Sequence, residues 1–290
     1  MKYDLYIGDR TFSSWSMRGW LMLKAFNIPF KPHMVGLYSG TMTDDLAPLA
    51  PAKLVPVLKT PAGHVVQDTL AMGETLAEAH PDAGLWPSDP GQRALARGIV
   101  AEMHSGFGAL RSACPMNLQN GWAGFAASDD VLKDLARIET LWSAAFEMSK
   151  SDTWLFGQYS LADVFYAPIA ARIAGYGLPV SPQAAAYVER HLNDTNFRQW
   201  RAMGLTKTYD PSPYPMPCDP TAWPGPTPIQ AKPVAAGPSE NSACPYSGDP
   251  VTDFLEIDGR IFGFCNPFCR DKTLPDPAAW PDFIAIYDAA

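Results

Sequence analysis

The sequence predicts an α/β domain at the N-terminus, then an all-α domain, a proline-rich linker and a small ββα-like module. Three observations support this prediction. Short apolar strands alternate with amphipathic helices in residues 1–80, and long helical periods replace them in residues 90–205. Prolines then crowd residues 206–243. Finally, a tight turn between two apolar runs marks residues 244–290.

The first 80 residues carry strand and helix patterns in a recognisable order. The predicted order is βαβ followed by ββα, with a turn at 60–63 between the last two strands. This order is typical of a thioredoxin-like layer, so we expect a thioredoxin-like α/β domain. Its predicted strands cover residues 2–7, 30–35, 55–59 and 64–66, and its predicted helices cover residues 14–26 and 69–80.

Residues 90–205 have the periodicity of an all-α domain. Ser160 and Asp163 stand at capping-box spacing before one of its helices, with Asp in the position that usually holds Glu or Gln. We expect this pair to cap that helix. The predicted helices cover residues 93–110, 130–148, 161–174 and 182–191.

Residues 206–243 contain ten prolines, which remove backbone donors and fix φ. Such a segment forms neither a helix nor a central strand, so we expect an extended strap or linker. Through Tyr209, Tyr214 and Trp223 it could lie across the helical domain, which the pattern leaves open.

The length, net charge and cysteine content of the chain limit the classes of protein to which it can belong. The 290 residues, 47% of them apolar, suffice for two domains with separate cores. The net charge of −8 argues against a nucleic-acid or membrane-surface partner. There is no apolar segment of membrane-spanning length and no signal-sequence pattern, so a cytoplasmic location is expected. Five cysteines, three of them near the C-terminus, favour reduced thiols or a metal over a disulfide framework.

Residues 11–20, T-F-S-S-W-S-M-R-G-W, place hydroxyl groups where an apolar strand turns into an amphipathic helix. The first N–H groups of a helix lack internal partners and carry partial positive charge, which favours a bound thiolate, carboxylate or phosphate. Serines at such a position are otherwise simple caps. The anion-site interpretation therefore requires further binding groups from other segments of the chain.

Two later segments complete such a site. Pro56 interrupts the apolar strand at 53–58, which leaves neighbouring backbone groups free for a ligand. Asp68 and Thr69 begin a second helix and bring an acid to its N-terminus.

In this order, the hydroxyl turn, the V-P-V strand, the Asp-Thr pair and the connector at 85–87 resemble the glutathione transferase superfamily. The S-S-x-S-x-R spacing from Ser13 to Arg18 is most similar to its serine-type, zeta-related branch. The resemblance covers roughly the first two thirds of the chain.

This resemblance implies that glutathione is the co-substrate and that its thiol is ionised near neutral pH. Ser13 takes the position of the serine that stabilises the thiolate, and Ser14 follows as a second donor. A hydrogen bond to the charged sulfur contributes roughly 1.5–3 kcal/mol. That energy lowers a thiol pKa of about 8.5 by about one to two units. Trp15, a further expected glutathione contact, replaces the cysteine of the zeta branch.

The resemblance also implies the remaining glutathione contacts. Val55 would present its backbone to the cysteinyl part across a cis bond to Pro56. Asp68 would take the γ-glutamyl amine and Thr69 the γ-glutamyl carboxylate. For Asp68 and Thr69 the alternative is simple helix capping.

The implied protein is a dimeric glutathione transferase that acts on a small electrophile by addition, isomerisation or peroxide reduction. The electrophile is expected between the two domains, against the helix that carries residues 101–111. His104 and Arg111 share one face of that helix, but we leave both outside the predicted catalytic set. Met116 and Asn117 are candidate pocket neighbours.

The C-terminal module carries a hairpin signature, because Asp258-Gly259 separates two apolar runs within residues 254–264. Asn266 and Pro267 suit the N-cap and the first position of a helix. Cys269 therefore falls in the opening turn of that helix.

The module resembles YHS and TRASH-like metal-binding modules, in which a hairpin leads to an F-C-C-x-x-C segment. Cys265 and Cys269 match the outer two cysteines, and Asn266 stands in place of the middle one. With Cys244 they imply a structural metal, for which zinc is the expected ion. The alternative is a metal-free module whose cysteines pack as apolar residues. The fourth ligand would come from Asp249, Asp271, Cys218, a water or another chain.

The sequence therefore supports two functions. The first is an enzyme that activates the glutathione thiolate. The second is a non-catalytic transferase-fold protein whose metal-binding tail serves metal sensing or delivery.

Overall fold

The computed structural model describes residues 2–208 and 212–289, which form two compact units. The first unit contains residues 2–192 and 212–224, and the second contains residues 193–208 and 225–289. Tyr209, one of the aromatic residues of the predicted strap, lies outside the described residues.

The first unit is built on a four-stranded mixed sheet with the order β2-β1-β3-β4. The first two strands are parallel and the other pairs are antiparallel, with Leu5 opposite Leu58 in the buried centre. This topology confirms the predicted thioredoxin-like domain. The strands are β1 (Tyr3–Ile7), β2 (Phe30–Met34), β3 (Val57–Lys59) and β4 (Val65–Gln67).

Three helices accompany this sheet: α1 (Ser14–Lys24), α2 (Met42–Leu46) and α3 (Thr69–Ala79). Helix α1 packs against β1 and against α3. A β-carbon at Gly19 would lie 3.0 Å from the Pro56 ring, so this glycine lets α1 approach the strand that begins after Pro56. The start of α1 is thereby fixed beside the start of β3.

The helical part of the first unit confirms the predicted all-α fold, but this unit ends at residue 192, so the predicted bounds of 90–205 extend into the second unit. Its central helix is apolar on all sides and almost entirely buried, as a helix surrounded by other elements must be. This helix packs against α1 of the thioredoxin-like domain. The helices are α4 (Pro90–Ser105), α5 (Gly108–Ala113), α6 (Asp129–Ser149), α7 (Leu161–Gly175), which is the central one, and α8 (Pro182–Asn193).

The predicted helix over 93–110 is wrong in one respect, because the chain breaks at Gly106 and Phe107. Phe107 has a φ of 58°, and a β-carbon at Gly106 would lie 2.7 Å from the Glu102 carbonyl oxygen. The Leu110 N–H then donates to the Asp134 carboxylate at 2.9 Å. The break separates α5 from α4. The periodicity alone had placed residues 108–110 in the same helix as α4.

The predicted capping box before α7 is confirmed. The Ser160 side chain accepts from the Ala162 N–H, and the Asp163 carboxylate accepts from the Ser160 N–H at 2.8 Å. The other oxygen of Asp163 accepts from the Leu155 N–H and the Tyr187 hydroxyl. Burial raises the pKa of this fully buried carboxyl to about 6, and the hydrogen bonds that it accepts oppose that rise.

Part of the proline-rich segment belongs to the first unit. Here β5 (Gly121–Ala123) pairs antiparallel with β6 (Asp219–Thr221), and Trp223 lies beside Gly175 of α7. Tyr214, in contrast, packs on Phe12 and Tyr38 of the thioredoxin-like domain. The strap therefore contacts both the helical domain, through Trp223, and the thioredoxin-like domain, through Tyr214.

The second unit contains a helix, a three-stranded antiparallel sheet and two further helices. The predicted hairpin is confirmed, with Asp258 and Gly259 both at positive φ in its turn. Asn266 caps the next helix through the Cys269 N–H at 2.9 Å, also as predicted. The elements are α9 (Thr195–Gly204), β7 (Lys232–Val234), β8 (Asp253–Ile257), β9 (Arg260–Phe264), α10 (Pro267–Thr273) and α11 (Pro281–Ala289).

Among the helices of residues 2–208 and 212–289, none is both long enough and apolar enough to cross a bilayer.

Replacing Asp163 with Ala should lower the free energy of unfolding by about 3 kcal/mol or more, because each buried donor that it leaves unpaired costs about 1–3 kcal/mol. Urea unfolding of the whole chain measures this loss. The matched control is Asp89→Ala, which removes the exposed N-cap of α4 and should cost about 1 kcal/mol. Equal losses for the two variants would contradict the role assigned to the buried carboxylate.

Candidate active site

A cavity of about 800 Å³ opens in the first unit where the helix N-termini of the thioredoxin-like domain face α5 and α7. The residues that sequence reasoning placed in the glutathione site all line it. They are Ser13, Ser14, Trp15, Val55, Pro56, Asp68 and Thr69.

The loop before α1 is fixed by its own hydrogen bonds. The Asp9 carboxylate accepts from the backbone N–H groups of Thr11 and Phe12 at 2.8 and 2.9 Å. Ser16, in the first turn, accepts from the Gly8 N–H at 2.9 Å. These contacts tie the start of α1 to the end of β1 and hold its free N–H groups toward the cavity.

Ser13 is the N-cap of α1, so its hydroxyl is already engaged. Its oxygen accepts from the Ser16 N–H at 3.2 Å and its proton points to the Ser16 hydroxyl oxygen at 2.9 Å. Ser14 differs, because its hydroxyl has no hydrogen-bond partner in the part of the chain that the structure describes. The available hydroxyl donor at this corner is therefore that of Ser14.

The Val55–Pro56 peptide bond is cis and stands between the two helix N-termini. β3 begins only at Val57, so the backbone of Val55 takes no part in the sheet ladder. Lys53 uses its N–H to bind the Gln67 side chain at 2.6 Å, and Leu54 is exposed.

Asp68 and Thr69 form the second helix N-terminus. Asp68 has a φ of 81°, and one of its carboxylate oxygens caps α3 through the Leu70 N–H at 2.8 Å. Thr69 is fully buried at the cavity wall, and its hydroxyl lacks a hydrogen-bond partner among the described residues. An unsatisfied buried hydroxyl is costly unless a ligand satisfies it.

His104 joins this site, although sequence reasoning left it out. Its Nε2 lies 3.1 Å from the second carboxylate oxygen of Asp68, and its ring stands edge-on to Trp15 at 5.1 Å. Burial lowers the pKa of His104, Asp68 opposes that shift, and Arg18 and Arg111 add to it. The neutral ring can therefore donate an N–H to Asp68 near neutral pH. The only sequence signal for this role was its shared helix face with Arg111.

Two arginines lie against the Trp15 ring, and a third lines the cavity, so that together they give it a positive potential. The guanidinium of Arg18 stacks on the Trp15 ring at 4.6 Å, and that of Arg111 lies 5.0 Å from the same ring. Arg172 lines the cavity and donates to the Cys114 carbonyl oxygen at 2.8 Å. The sequence analysis considered Arg111 beside His104 but left it outside the catalytic set, and it gave Arg18 and Arg172 no role of their own.

Arg18 is fully buried, and its three guanidinium nitrogens have no hydrogen-bond partner among the described residues. Burial lowers its pKa to about 9, with further lowering by Arg111 and Arg172. The group therefore stays charged near neutral pH, and its charge adds to the potential that favours an anion in the cavity.

The opposite wall of the cavity is apolar. Tyr38 donates its hydroxyl to Tyr214 at 3.0 Å, which joins the strap to the cavity rim. Met116 lines the cavity, as expected, whereas Asn117 does not and instead accepts from the Gln119 N–H at 2.7 Å. The other apolar side chains of this wall are Phe12, Leu37, Met42, Leu54 and Pro115.

A second cluster lies in the second unit, where the sulfur atoms of Cys244, Cys265 and Cys269 are all within 4.8 Å of one another. We call these three residues the thiol cluster. Burial tends to raise the pKa of Cys244, but the N–H groups of Tyr246, Cys265 and Ser247 outweigh it and lower the pKa to about 7.

The two carboxylates predicted as fourth ligands do not join the thiol cluster. Among the described residues of the second unit, the carboxylates of Asp249 and Asp271 both lie outside it. The carboxylate of Asp271 instead accepts from Arg270 at 2.8 Å.

Comparison with known proteins agrees with this architecture. The family model described as the N-terminal domain of glutathione S-transferase matches residues 12–79. A probable maleylacetoacetate isomerase of Caenorhabditis elegans is 31% identical over 183 residues, which cover 61% of this chain and 82% of that protein. The maleylacetoacetate isomerase of Mus musculus is 30% identical over 173 residues, with coverages of 56% and 78%.

Among solved structures, a Burkholderia glutathione transferase homologue with bound glutathione superposes with a TM-score of 0.52. The two sequences are 24% identical, and the superposition covers 71% of this chain and 100% of that chain. This similarity concerns the fold. A thioredoxin-like domain joined to a helical domain around such a cavity defines the glutathione transferase class. The chain belongs to the glutathione S-transferase family, and its curated relatives include maleylacetoacetate isomerases.

Proposed function

We propose that the chain is a glutathione-dependent transferase or isomerase whose cavity holds the glutathione thiolate at the N-terminus of α1. One observation carries the proposal. The Ser14 hydroxyl, the Val55 backbone, the Asp68 carboxylate and the unsatisfied Thr69 hydroxyl converge on one cavity. Each suits a different chemical group of the tripeptide.

In this proposal Ser14 donates to the sulfur, and Ser13 turns its proton from Ser16 to the sulfur when the ligand binds. The free N–H groups of the first turn of α1 add their partial positive charge. A charged hydrogen bond of roughly 1.5–3 kcal/mol favours the thiolate over the thiol. The pKa of the bound thiol then falls by about one to two units from about 8.5.

The other contacts are matched by charge. Asp68 takes the ammonium group of the γ-glutamyl part, while Thr69 and the N–H groups that begin α3 take its carboxylate. The Val55 backbone pairs with the cysteinyl part, and Trp15 forms the wall on the side of α4 and α5.

The electrophile lies against Arg111 and Arg172, so we propose a small anionic substrate with a conjugated double bond. The thiolate adds to one carbon of that bond, which becomes single and rotates. Expulsion of the thiolate restores the double bond in the other geometry, with no net change in atoms or electrons. The curated relatives named maleylacetoacetate isomerase make such an isomerisation the leading choice. Addition and peroxide reduction start from the same thiolate.

A homodimer in the cytoplasm completes this part of the proposal, as family membership implies. The five cysteines are all free thiols, which suits a reducing compartment.

Changing Ser14 to Ala should raise the pKa of bound glutathione by about one unit or more, because one charged hydrogen bond is lost. Ser13→Ala should raise it as well and should also lower the melting temperature, because the N-cap of α1 is lost. Ultraviolet thiolate absorbance across a pH titration measures the thiol pKa. Ser112→Ala, a serine on α5 that lines the same cavity, is the control and should change neither quantity. An unchanged thiol pKa in both Ser13→Ala and Ser14→Ala would refute the mechanism.

Changing His104 to Ala should weaken glutathione binding by roughly tenfold, because one side of the Asp68 carboxylate loses its donor. His104→Gln keeps an N–H donor and should restore most of the affinity. Isothermal titration with glutathione measures the dissociation constants. The thiol pKa of bound glutathione should stay unchanged in both variants, since His104 acts at the opposite end of the ligand. Equal weakening by Ala and Gln would point to a packing role instead.

We further propose that the thiol cluster binds zinc. Two thiolates on one tetrahedral zinc lie about 3.8 Å apart, given Zn–S bonds of about 2.3 Å. The sulfur atoms of Cys265 and Cys269 are 3.8 Å apart, which fits this requirement. The observation also favours the second candidate function, a metal-handling tail on a transferase-fold body.

Metal analysis of the purified chain separates these possibilities. We expect one zinc per chain, lost in Cys265→Ser and in Cys269→Ser and retained in Cys218→Ser, a cysteine that belongs to the first unit. Retention of glutathione-dependent activity by the metal-free variants would make the metal structural or ancillary. Absence of activity of the wild-type chain with electrophiles and peroxides would favour metal handling, and absence of metal from the wild-type chain would refute the zinc proposal.

A further inference from the structure

The chain around Cys244 folds into a tight turn that presents two side chains on one side. The Gly248 N–H donates to the Cys244 carbonyl oxygen at 2.9 Å, and the Cys244 N–H donates to the Asp249 carbonyl oxygen at 2.8 Å. Gly248 has a φ of 76°, which closes the turn. The two side chains that this turn directs toward the other cysteines are those of Cys244 and Ser247.

Ser247 shares one feature of the backbone environment of Cys244. The sulfur of Cys244 accepts from the N–H two residues further on, that of Tyr246. The Ser247 hydroxyl oxygen likewise accepts from the N–H two residues further on, that of Asp249, at 3.2 Å. The same oxygen lies 3.3 Å from the sulfur of Cys265. Cys244 and Ser247, three residues apart in one turn, therefore both face the other cysteines, and Ser247 carries oxygen instead of sulfur.

We propose that Ser247 occupies the fourth corner of the metal site formed by the thiol cluster. This inference rests on the proposed zinc site. No carboxylate or histidine of the described residues belongs to the cluster, whereas the Ser247 hydroxyl is in direct contact with one of its sulfurs.

The substitution of oxygen for sulfur changes the character of the site. Three thiolates select a thiophilic ion such as zinc. A neutral hydroxyl is a weaker ligand than a thiolate, so water or an added thiol can displace it. Three strong protein ligands with one replaceable position characterise reactive zinc sites, whereas four strong ligands characterise closed structural ones. The fourth corner is therefore the place where the ion exchanges ligands.

Cobalt substitution of the full-length chain tests the assignment, because sulfur-to-cobalt charge-transfer absorbance grows with the number of coordinated thiolates. Ser247→Cys should raise this absorbance in the ratio of four thiolates to three. It should also tighten zinc binding, measured by competition with a chromogenic chelator, by at least about tenfold. Ser247→Ala should leave the absorbance near that of the wild type.

The matched control is Ser239→Cys, which adds a thiol in the same unit where the native hydroxyl donates to the Asn241 carbonyl oxygen. It should change neither quantity. Equal spectra for Ser247→Cys and Ser239→Cys would overturn the assignment of Ser247. A wild-type chain that binds no cobalt, combined with a four-thiolate spectrum in Ser247→Cys, would refute the zinc proposal and leave the position of Ser247 supported.

Discussion

The architecture of the candidate active site depends on one constraint, the direction of two helix N-termini toward a common cavity. The start of α1 is fixed by Asp9 and Ser16, and the start of α3 is fixed by Asp68. Because neither helix can satisfy all of its first N–H groups internally, each presents partial positive charge to the same space. Val55 and Pro56 line the same cavity, and because β3 begins only at Val57, the backbone of Val55 takes no part in the sheet. The proposed glutathione binding, thiol ionisation and choice of an anionic electrophile all depend on this arrangement.

The charge balance around Trp15 explains why the helical domain matters to the same site. Arg18 has no hydrogen-bond partner among the described residues and is held between the rings of Trp15 and Phe165. Such a buried cation is stable only where nearby negative charge or aromatic faces compensate for its lost hydration. Asp68 contributes negative charge, and His104 fixes the direction of that carboxylate while remaining neutral. Trp15 stands where the zeta branch has a cysteine. Its ring contacts the guanidinium groups of both Arg18 and Arg111.

Local sequence signals predicted the parts of this protein that local chemistry determines. The thioredoxin-like order of strands, the capping box of Ser160 and Asp163, the Asp258-Gly259 hairpin and the Asn266 cap each depend on a few adjacent residues. The break at Gly106 and Phe107 escaped prediction, because the apolar period continues through it and only a contact with α6 reveals the turn. His104, Arg18 and Arg172 escaped for the same reason, since their roles come from contacts across distant segments. Tyr214 lies at the cavity rim. It belongs to the proline-rich segment, and the proline pattern does not specify where that segment packs.

The thiol cluster also depends on contacts between distant segments, which the spacing of its cysteines does not reveal. Sequence spacing brought Cys265 and Cys269 together on a hairpin end and a helix start, but the fourth ligands considered from the sequence did not include a serine. Those candidates were mainly the carboxylate and thiolate groups that zinc usually binds. The turn at Cys244 imposes a stronger condition, because its backbone N–H groups select which side chains face the sulfurs, whatever those side chains are. In the proposed zinc site, position in this turn would therefore outweigh ligand strength, and the weak ligand at that corner would leave the ion three thiolate bonds and one exchangeable position.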